Sequence, residues 1–371
     1  MSRRQKRARR AVAGKRRAGG TPFHRRHRRL LTAVVGALVL VLGTGSAYAY
    51  YLNSQLDNVG RVQTTLVEAE RPDPDKGRAL NILLLGSDKG KKVEGAEDTT
   101  LAEDAAAPEW PSGKYRSDTL MIAHITSDRK KVYLVSIPRD TYTDIYDETG
   151  TVRSTQKIND AFAEYGPNGA IATVENLTDL RMRHLAIIDW DGFEALSSAV
   201  GGVPVYIPRA FYDPKQEVQW EAGQQTLEGK KALAYVRTRY GLLRGDFDRI
   251  ARQQNFLRSL MKKMLSRGTM SNPVTLTRTL SAVTKNLTVD EGWEPGDMRA
   301  LALSLRGTSS EDVTFLTAPV ATTEEIPVVG SIVRLDEAKT TELFTALRED
   351  RMDEYLAKYP DDRLADEDEI G

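Results

Sequence analysis

The amino-acid sequence predicts an α/β protein: one α-β-α layered domain with a mixed central sheet, preceded by one transmembrane helix. Short apolar runs of strand length alternate with helix-like stretches, which is typical of layered domains with a parallel or mixed sheet. An uncharged stretch near the N-terminus is long enough to cross a bilayer. With 371 residues, 40% of them hydrophobic, the chain can bury a substantial core.

The strands are predicted from runs of apolar residues. The run at residues 80–85 is almost continuously apolar, as expected of a strand buried on both faces. Similar runs predict strands at residues 119–125, 132–137, 184–188, 203–207 and 313–316. Intervening patterns predict helices at residues 157–165, 170–180, 192–200, 246–265 and 337–347. The polar composition of residues 89–114 predicts a long mobile loop.

The N-terminal 52 residues predict a membrane anchor. Residues 1–29 contain 13 Lys and Arg and no acidic residue, and residues 30–52 carry no charge. About 20 apolar residues cross a bilayer, and the positive-inside rule leaves the basic tail in the cytoplasm. We therefore expect a single-pass cell-membrane protein whose remaining residues face outward. The alternatives are a cleaved secretory signal ending at Ala49 and a basic tail that binds nucleic acid.

The outward-facing part is divided by composition. Residues 53–78 are polar and contain prolines, which predicts a stalk, residues 79–350 hold the predicted strands and helices, and residues 351–371 predict an acidic tail that is disordered at its end. Cysteine is absent, which excludes disulfides, thiolate metal sites and a Cys nucleophile. His124 and His184 lie inside apolar runs and are predicted to be core residues rather than catalysts.

Three polar clusters are predicted to meet at one edge of the sheet, because ligand sites of open α/β sheets lie at the carboxyl ends of strands. Asp88 follows the first predicted strand and Arg139 follows the third. Arg116 and Asp118 precede the second strand and reach that edge only if this strand is antiparallel. Asp88 and Asp118 could supply oxygens to Mg²⁺, which takes few protein ligands. Taken singly, each aspartate is better explained as a turn or cap residue.

An arginine-rich segment at residues 235–254 predicts a phosphate site, because guanidinium groups stay charged and grip two phosphate oxygens at once. Asp246 or Asp248 is expected to cap a helix whose start adds oriented N–H groups. Arg249, Arg252 and Gln253 are expected on one ligand-facing side of this helix, because they are spaced at i, i+3 and i+4. The arginines are Arg237, Arg239, Arg244, Arg249 and Arg252. The first two are expected to share one face of an extended segment. A solvated, charge-rich helix face is the alternative.

In order along the chain, these clusters resemble the motifs of the LytR-CpsA-Psr family. The resemblance covers roughly residues 80–265, and several motifs in order are more specific than any one alone. The matching segments are residues 87–88, 116–119, 136–141, 157–159, 235–239 and 245–254. The long acidic insertion at residues 89–114 departs from the shorter path of many relatives.

The resemblance implies an outward-facing, membrane-anchored enzyme of cell-wall assembly that moves a glycopolymer from a polyprenyl-pyrophosphate carrier onto a peptidoglycan hydroxyl. It implies Mg²⁺, or Mn²⁺ in its place, held by Asp88 and Asp118. Asp246 would be the base that activates the acceptor hydroxyl, or else an orienter of the catalytic residues Arg237 and Arg239. The implied pyrophosphate ligands are Arg116, Arg139, Lys157, Arg237, Arg239, Arg249 and Gln253. Arg244 and Arg252 are weaker candidates for the site, and solvent exposure is the alternative for both.

Two other functions stay open at this point. A polyprenyl-pyrophosphate hydrolase would use the same residues with water as the acceptor. A membrane-bound transcriptional regulator would use the basic tail on DNA, but no helix-turn-helix pattern precedes residue 30. The expected partners are therefore the lipid-linked donor, peptidoglycan and membrane lipid, and no nucleic acid. The apolar runs at residues 171–177, 184–188 and 192–200 either line a tunnel for the polyprenyl chain or form plain core.

Overall fold

A computed structural model shows a mixed α/β domain around a seven-stranded sheet. It describes residues 50–52, 54–74, 77–89, 99–105, 107, 109–240, 246–366 and 370, without the side chains of residues 88, 89, 102, 246, 267 and 270. All elements named below belong to the compact unit Leu52–Gly371.

The strands and helices follow one another from residue 60 to residue 358. The strands are β1 (Gly60–Val62), β2 (Leu80–Lys89), β3 (Tyr115–Ile125), β4 (Val132–Ile137), β5 (Tyr142–Tyr146), β6 (Val152–Lys157), β7 (His184–Asp189), β8 (Val203–Ile207), β9 (Phe211–Asp213), β10 (Val218–Trp220), β11 (Gly223–Leu227), β12 (Leu287–Asp290), β13 (Val313–Thr317), β14 (Val320–Ile326) and β15 (Gly330–Leu335). The helices are α1 (Leu101–Ala105), α2 (Asn159–Thr178), α3 (Trp190–Ala199), α4 (Gly229–Arg237), α5 (Asp246–Met264), α6 (Arg267–Met270), α7 (Pro273–Asn286), α8 (Pro295–Ser304), α9 (Glu337–Arg348) and α10 (Met352–Lys358).

The central sheet is mixed, in the order β1-β12-β7-β2-β3-β4-β13. β2 pairs parallel with β7 and antiparallel with β3, and β3 pairs antiparallel with β4. The carboxyl ends of β2, β4 and β7 and the amino end of β3 therefore lie at the same edge, which we call the upper edge. β3 is thus antiparallel to its neighbours, which is the orientation that brings Arg116 and Asp118 to this edge.

Both faces of the sheet are covered by helices. Neighbouring residues of the inner strands point to opposite faces, and the apolar side chains on each face pack against helices. Leu83 and Leu85 of β2 pack in one cluster with Phe162 of α2, and residues of α9 and α10 join them. Ile82 packs in a second cluster with Leu257 of α5 and residues of α8. The α-β-α layering is thus as predicted, and burial on both faces explains the nearly continuous apolar run of β2.

The predicted helices at residues 157–165 and 170–180 form one kinked helix, α2. The kink is at Gly166, whose φ of 62° and ψ of −154° are accessible almost only to glycine. Pro167 follows it, and a Cβ added at Gly166 would lie 2.7 Å from the ring of Trp110. Lys157 belongs to β6 rather than to this helix.

The six predicted strands and the helices near residues 192–200, 246–265 and 337–347 are confirmed to within a few residues. The prediction missed β5, β6, β9, β10, β11, β14 and β15, which belong to small two-stranded sheets, one of them the pair of β11 with the predicted β8. It also missed α7, α8, β1 and β12. These strands are short and partly polar, so they give little periodic signal.

The predicted stalk at residues 53–78 is instead partly built into the domain. β1 pairs with β12 at the edge of the central sheet, and Val59 and Val62 are buried. The predicted loop at residues 89–114 also differs, because α1 buries Leu101 in the core and Trp110 packs against Tyr115 and Phe162. Residues 90–98 lie outside the described part of the chain.

The predicted C-terminal tail at residues 351–371 is packed rather than disordered through residue 366. Met352, Tyr355 and Leu356 of α10 are buried in the core. Leu364 then donates its backbone N–H to the carbonyl of Phe315 at 2.9 Å. Residues 363–364 thereby cover β13, the outermost strand on that side of the sheet. The disorder was predicted from the acidic composition of residues 360–371, and residues 363–364 are the part of that segment whose backbone bonds to β13 contradict it.

The predicted basic tail at residues 1–29 lies outside the described residues, as does the predicted transmembrane helix at residues 30–52 apart from its last three positions. Across residues 50–370, where placed, the chain has no helix that is both long and apolar enough to span a bilayer.

His124 is a buried core residue, as predicted. Its Nδ1 lies 2.7 Å from Oδ1 of Asn81 and its Nε2 lies 3.5 Å from Oδ1 of Asp350. Asp350 also accepts hydrogen bonds from N and Oγ of Ser127 at 2.9 and 2.6 Å. The bond to His124 lowers the pKa of Asp350, burial opposes this, and the bonds from Ser127 lower that pKa further.

We expect Asp350→Asn to lower the free energy of unfolding at pH 7 by about 1–2 kcal/mol, because charged hydrogen bonds are lost. Asn tolerates the φ of 55° at this position. A carboxyl whose pKa is depressed by folding stabilises the fold above its unfolded pKa near 4 and loses that contribution as the pH falls toward the folded value. Urea unfolding at pH 7 and pH 3 measures the free energy of unfolding. The difference in this free energy between variant and wild type should be smaller at pH 3 than at pH 7. Equal differences at both pH values would contradict this.

Candidate active site

The carboxylate Asp118 lies at a β-bulge on the upper edge. Ser87 of β2 pairs with Ser117, and the preceding pair of β2 uses Thr119, so Asp118 is the extra residue of β3. A bulge redirects the side chain it carries. The carboxylate of Asp118 forms an ion pair with Nη1 of Arg139, just beyond β4, and both side chains are less than one-fifth exposed.

A chain of alternating charges continues from this pair along the upper edge. Nε of Arg139 lies 3.6 Å from Oδ2 of Asp140, and Nζ of Lys157 lies 3.3 Å from Oδ1 of the same carboxylate. The predicted ligands Arg139 and Lys157 are thus linked through Asp140. Each cation of this cluster has an anionic neighbour at the upper edge.

Asp160 is a further carboxylate of this edge that the sequence reasoning missed. Burial and the nearby Glu164 raise the pKa of Asp160, whereas Arg116 and Lys157 oppose the shift. Arg116 itself is exposed at the start of β3. The available signal for Asp160 was its place directly after the motif at residues 157–159.

Arg237 and Arg239 lie on either side of a buried threonine. Arg237 is the last residue of α4, so the predicted extended segment begins only at Thr238, whose φ and ψ are −65° and 139°. Both arginines are exposed and line one cavity, although they do not lie on a single extended segment as predicted. The guanidinium of Arg237 lies 5.4 Å from the ring centroid of Trp190, a cation–π distance.

Two adjacent glutamines fix α5, one against the sheet and one against α4. Nε2 of Gln254, which is buried, donates to Oγ of Ser136 at 2.7 Å and to the carbonyl of Leu316 at 2.6 Å. Nε2 of Gln253 donates to the carbonyl of Val236 at 3.2 Å. These bonds hold Gln253 and the buried Arg249 of α5 beside the end of α4.

Arg252 is buried, so the alternative of a solvent-exposed side chain is wrong. It is 1% exposed, and its guanidinium lies 4.9 and 5.0 Å from the ring centroids of Phe211 and Tyr235. Nε and Nη1 have no hydrogen-bond partner among the placed residues. Burial lowers the pKa of Arg252, and the fields of Tyr235, Asp248 and Asp213 oppose this.

A cavity of about 450 Å³ opens between the upper edge, α4 and α5. Its lining residues are Asp118, Trp190, Asp213, Lys215, Gln216, Arg237, Arg239, Tyr240, Arg249 and Gln253. Five of these were predicted as site residues. Arg139 adjoins the lining through Asp118, and Lys157 is one step further, behind Asp140. Arg116 lies at the start of β3, outside the lining.

Sequence reasoning missed half of this lining. Trp190 directly follows β7, so the rule that placed Asp88 and Arg139 at strand ends would have found it. Lys215 and Gln216 lie in the turn of the β9–β10 hairpin, where Asp213-Pro214 is a turn signature. Tyr240 follows the arginines by one residue and gave no separate signal.

The side chains of three predicted site residues lie outside the described part of the chain. The backbone of Asp88 lies within β2 opposite Arg116, and Asp246 begins α5, but both side chains lie outside the described residues. Arg244 lies outside them entirely.

The described part of the site fits a Mg²⁺ ion that draws most of its ligands from phosphate and water. No group of three or more metal-binding side chains occurs among the residues described. Mg²⁺ commonly uses only one or two protein carboxylates beside substrate phosphates. Asp118 offers one carboxylate at the cavity wall, and the backbone of Asp88 lies on the neighbouring strand beside the bulge.

Comparisons with known proteins show the family of this chain. A family model described as the LytR_cpsA_psr family matches residues 48–349. The chain is 35% identical over 287 residues to the cell wall biosynthesis protein LcpA of Corynebacterium glutamicum, covering 70% of this chain and 53% of that protein. It therefore spans about half the length of that relative.

Matches to two further relatives cover a larger share of the relative's own length. The polyisoprenyl-teichoic acid–peptidoglycan teichoic acid transferase TagU of Bacillus anthracis is 33% identical over 261 residues, with 70% of this chain and 78% of TagU covered. The crystal structure of B. subtilis TagV superposes with a TM-score of 0.58 at 25% identity, covering 75% of this chain and 98% of that one. With a family model that spans residues 48–349 and a shared mixed α/β fold, the chain belongs to the LytR_cpsA_psr family.

Proposed function

We propose that this protein is a Mg²⁺-dependent phosphotransferase that moves a glycopolymer from a polyprenyl-pyrophosphate carrier onto a hydroxyl of peptidoglycan. The observation that carries the proposal is the cavity in which Arg237, Arg239 and Arg249 face the carboxylate Asp118. A cluster of guanidinium groups beside a carboxylate suits a diphosphate with its metal ion. The names of the relatives LcpA and TagU support a role in the cell wall.

In the proposed reaction the acceptor hydroxyl oxygen forms a bond to the phosphorus nearest the glycan. The bond from that phosphorus to the bridging oxygen breaks, and polyprenyl phosphate leaves with the bridging oxygen. Arg237 and Arg239 neutralise charge on the transferring group and the leaving group, a contribution that usually dominates phosphoryl transfer. Bound Mg²⁺, held by Asp118 and Asp88, would supply further charge neutralisation.

The hydroxyl proton needs an acceptor. Asp246, at the first position of α5, is proposed either as this base or as the residue that orients the arginines. Arg116, Arg139 and Lys157 are proposed to extend the positive surface from the cavity along the upper edge. Mn²⁺ is expected to replace Mg²⁺, because both accept hard oxygen ligands.

The topology proposed from the sequence suits this reaction. An anchor at residues 30–52 with its basic tail in the cytoplasm would place the cavity outside the cell membrane, where lipid-linked donor and peptidoglycan meet. The carrier's polyprenyl chain requires an apolar surface. Of the candidate runs, Ile171 and Val174 are buried in the main core, whereas Ile188 and Phe193 are partly buried near the site and are the better candidates.

The test is a transfer assay with full-length protein in detergent. The donor is a synthetic polyprenyl-pyrophosphate glycan with ³²P at the phosphorus nearest the glycan, and the acceptor is a peptidoglycan fragment. We expect Mg²⁺-dependent appearance of ³²P on the peptidoglycan fragment. Release of ³²P as free glycan phosphate, with and without acceptor, would instead establish the hydrolase. If the protein left the donor intact, with and without acceptor, both the transferase and the hydrolase would be excluded.

A further inference from the structure

We propose that Asp213 is a positioning residue that sets the direction of Arg237 and Arg239 by holding Thr238. The inference rests on the proposed function, because it concerns the presentation of these arginines to a pyrophosphate. No role follows for Asp213 or Thr238 from the motifs that identify the family. The proposal comes from the contacts of the two side chains.

Thr238 is buried between two exposed arginines. It is 1% exposed, and it begins the extended backbone that leaves α4. Successive side chains of an extended segment point to opposite sides, so a Thr238 that points inward turns Arg239 toward the cavity. Arg237, one residue earlier, faces the same cavity from the last turn of α4. The inward anchor of Thr238 therefore determines where both guanidinium groups lie.

That anchor is the carboxylate of Asp213. The hydroxyl of Thr238 donates a hydrogen bond to Oδ2 of Asp213. The same carboxylate accepts from the backbone N–H of Lys215 at 2.9 Å, from the backbone N–H of Gln216 at 3.2 Å and from Nε2 of Gln216 at 2.7 Å. Nε2 of Gln216 also donates to the carbonyl of Ala234 in α4 at 2.9 Å. The β9–β10 turn and the end of α4 are thus joined at one carboxylate.

Asp213 is buried and stays ionised. Burial raises its pKa, but the hydrogen bonds from Thr238 and Gln216 outweigh burial and hold the pKa of Asp213 below its usual value. The buried cation Arg252 acts on Asp213 electrostatically from between Phe211 and Tyr235. A fully hydrogen-bonded buried anion with a nearby cation is a rigid support for the cavity wall.

The experiment compares Thr238→Val with Thr238→Ser in the full-length protein. Valine keeps the shape of threonine but removes the donor, whereas serine keeps the hydroxyl. Thr178→Val is the control: Thr178, at the far end of α2, is also buried and donates to the carbonyl of Val174 at 2.7 Å. Binding of inorganic pyrophosphate with Mg²⁺ is measured by calorimetry, together with thermal unfolding and the KM for the lipid-linked donor.

We expect Thr238→Val to weaken pyrophosphate binding and raise the donor KM by about tenfold, the effect of one lost hydrogen bond to a charged group. Thr238→Ser should bind as the wild type does, and Thr178→Val should be less stable with unchanged binding. Wild-type binding by folded Thr238→Val would overturn the positioning role alone, as would equally weak binding by Thr178→Val. Failure of the wild-type protein to bind pyrophosphate would overturn the proposed function as well.

Discussion

Asp118→Asn is expected to reduce glycopolymer transfer by at least about 10²- to 10³-fold, the range found when one preorganised electrostatic group is removed from an active site. The amide keeps the shape of the carboxylate but loses its charge. It would bind Mg²⁺ poorly, because Mg²⁺ prefers charged oxygen ligands. Arg139 would also lose the partner with which it forms an ion pair at the bulge of β3. The transfer assay over a series of Mg²⁺ concentrations measures the effect.

The matched control for this variant is Asp297→Asn, at an exposed position in the first turn of α8. It should transfer glycan at the wild-type rate. Chelation of divalent cations should stop the wild-type reaction, and added Mg²⁺ or Mn²⁺ should restore it. An Asp118→Asn protein with the wild-type rate at every Mg²⁺ concentration would remove Asp118 from the proposed metal site.

Arg237→Ala is expected to lower kcat by about 10²- to 10³-fold while the protein stays folded. Arg237 is exposed at the end of α4, and within the fold its ring contact is with Trp190. Loss of that cation–π contact costs only about 0.5–1 kcal/mol of stability. The main effect of Arg237→Ala is therefore expected on kcat, because the variant no longer neutralises the charge that develops during transfer. Arg237→Lys should recover part of the rate, because lysine restores the charge but not the two-pronged hydrogen bonding.

The control is Arg306→Ala, in the exposed loop after α8. Circular dichroism should show the same fold for all three variants. If Arg237→Ala and Arg306→Ala transferred glycan equally fast, Arg237 would have no part in the reaction.

Much of the fold was predictable because the inner strands are buried on both faces. In β2, Ile82 and Leu83 face opposite helix layers, so the run of apolar residues is nearly unbroken and easily recognised. β1 and β12 were not predictable in the same way. Each has three or four residues. β1 pairs with β12 across more than 200 residues of chain, and β12 pairs on its other side with β7.

The site was predictable where its residues follow one another in local motifs. Arg237, Arg239 and Gln253 are such residues, and the structure brings them to one cavity. Arg252 was misplaced because its spacing from Arg249 suggested a shared face. That spacing says nothing about β9, which buries Arg252 under Phe211. The Asp213 carboxylate could not be found either, because its partner Thr238 is 25 positions away.

The segment that lies along β13 has a bearing on solubility. An uncovered outer strand presents unpaired N–H and C=O groups, and these recruit strands from other molecules into fibrous or amorphous deposits. Leu364 and its neighbours occupy that position, yet they lie beyond residue 349, where the family match ends. Trimming the protein to the family boundary would remove α10 and this covering together, so the folded unit extends well beyond residue 349.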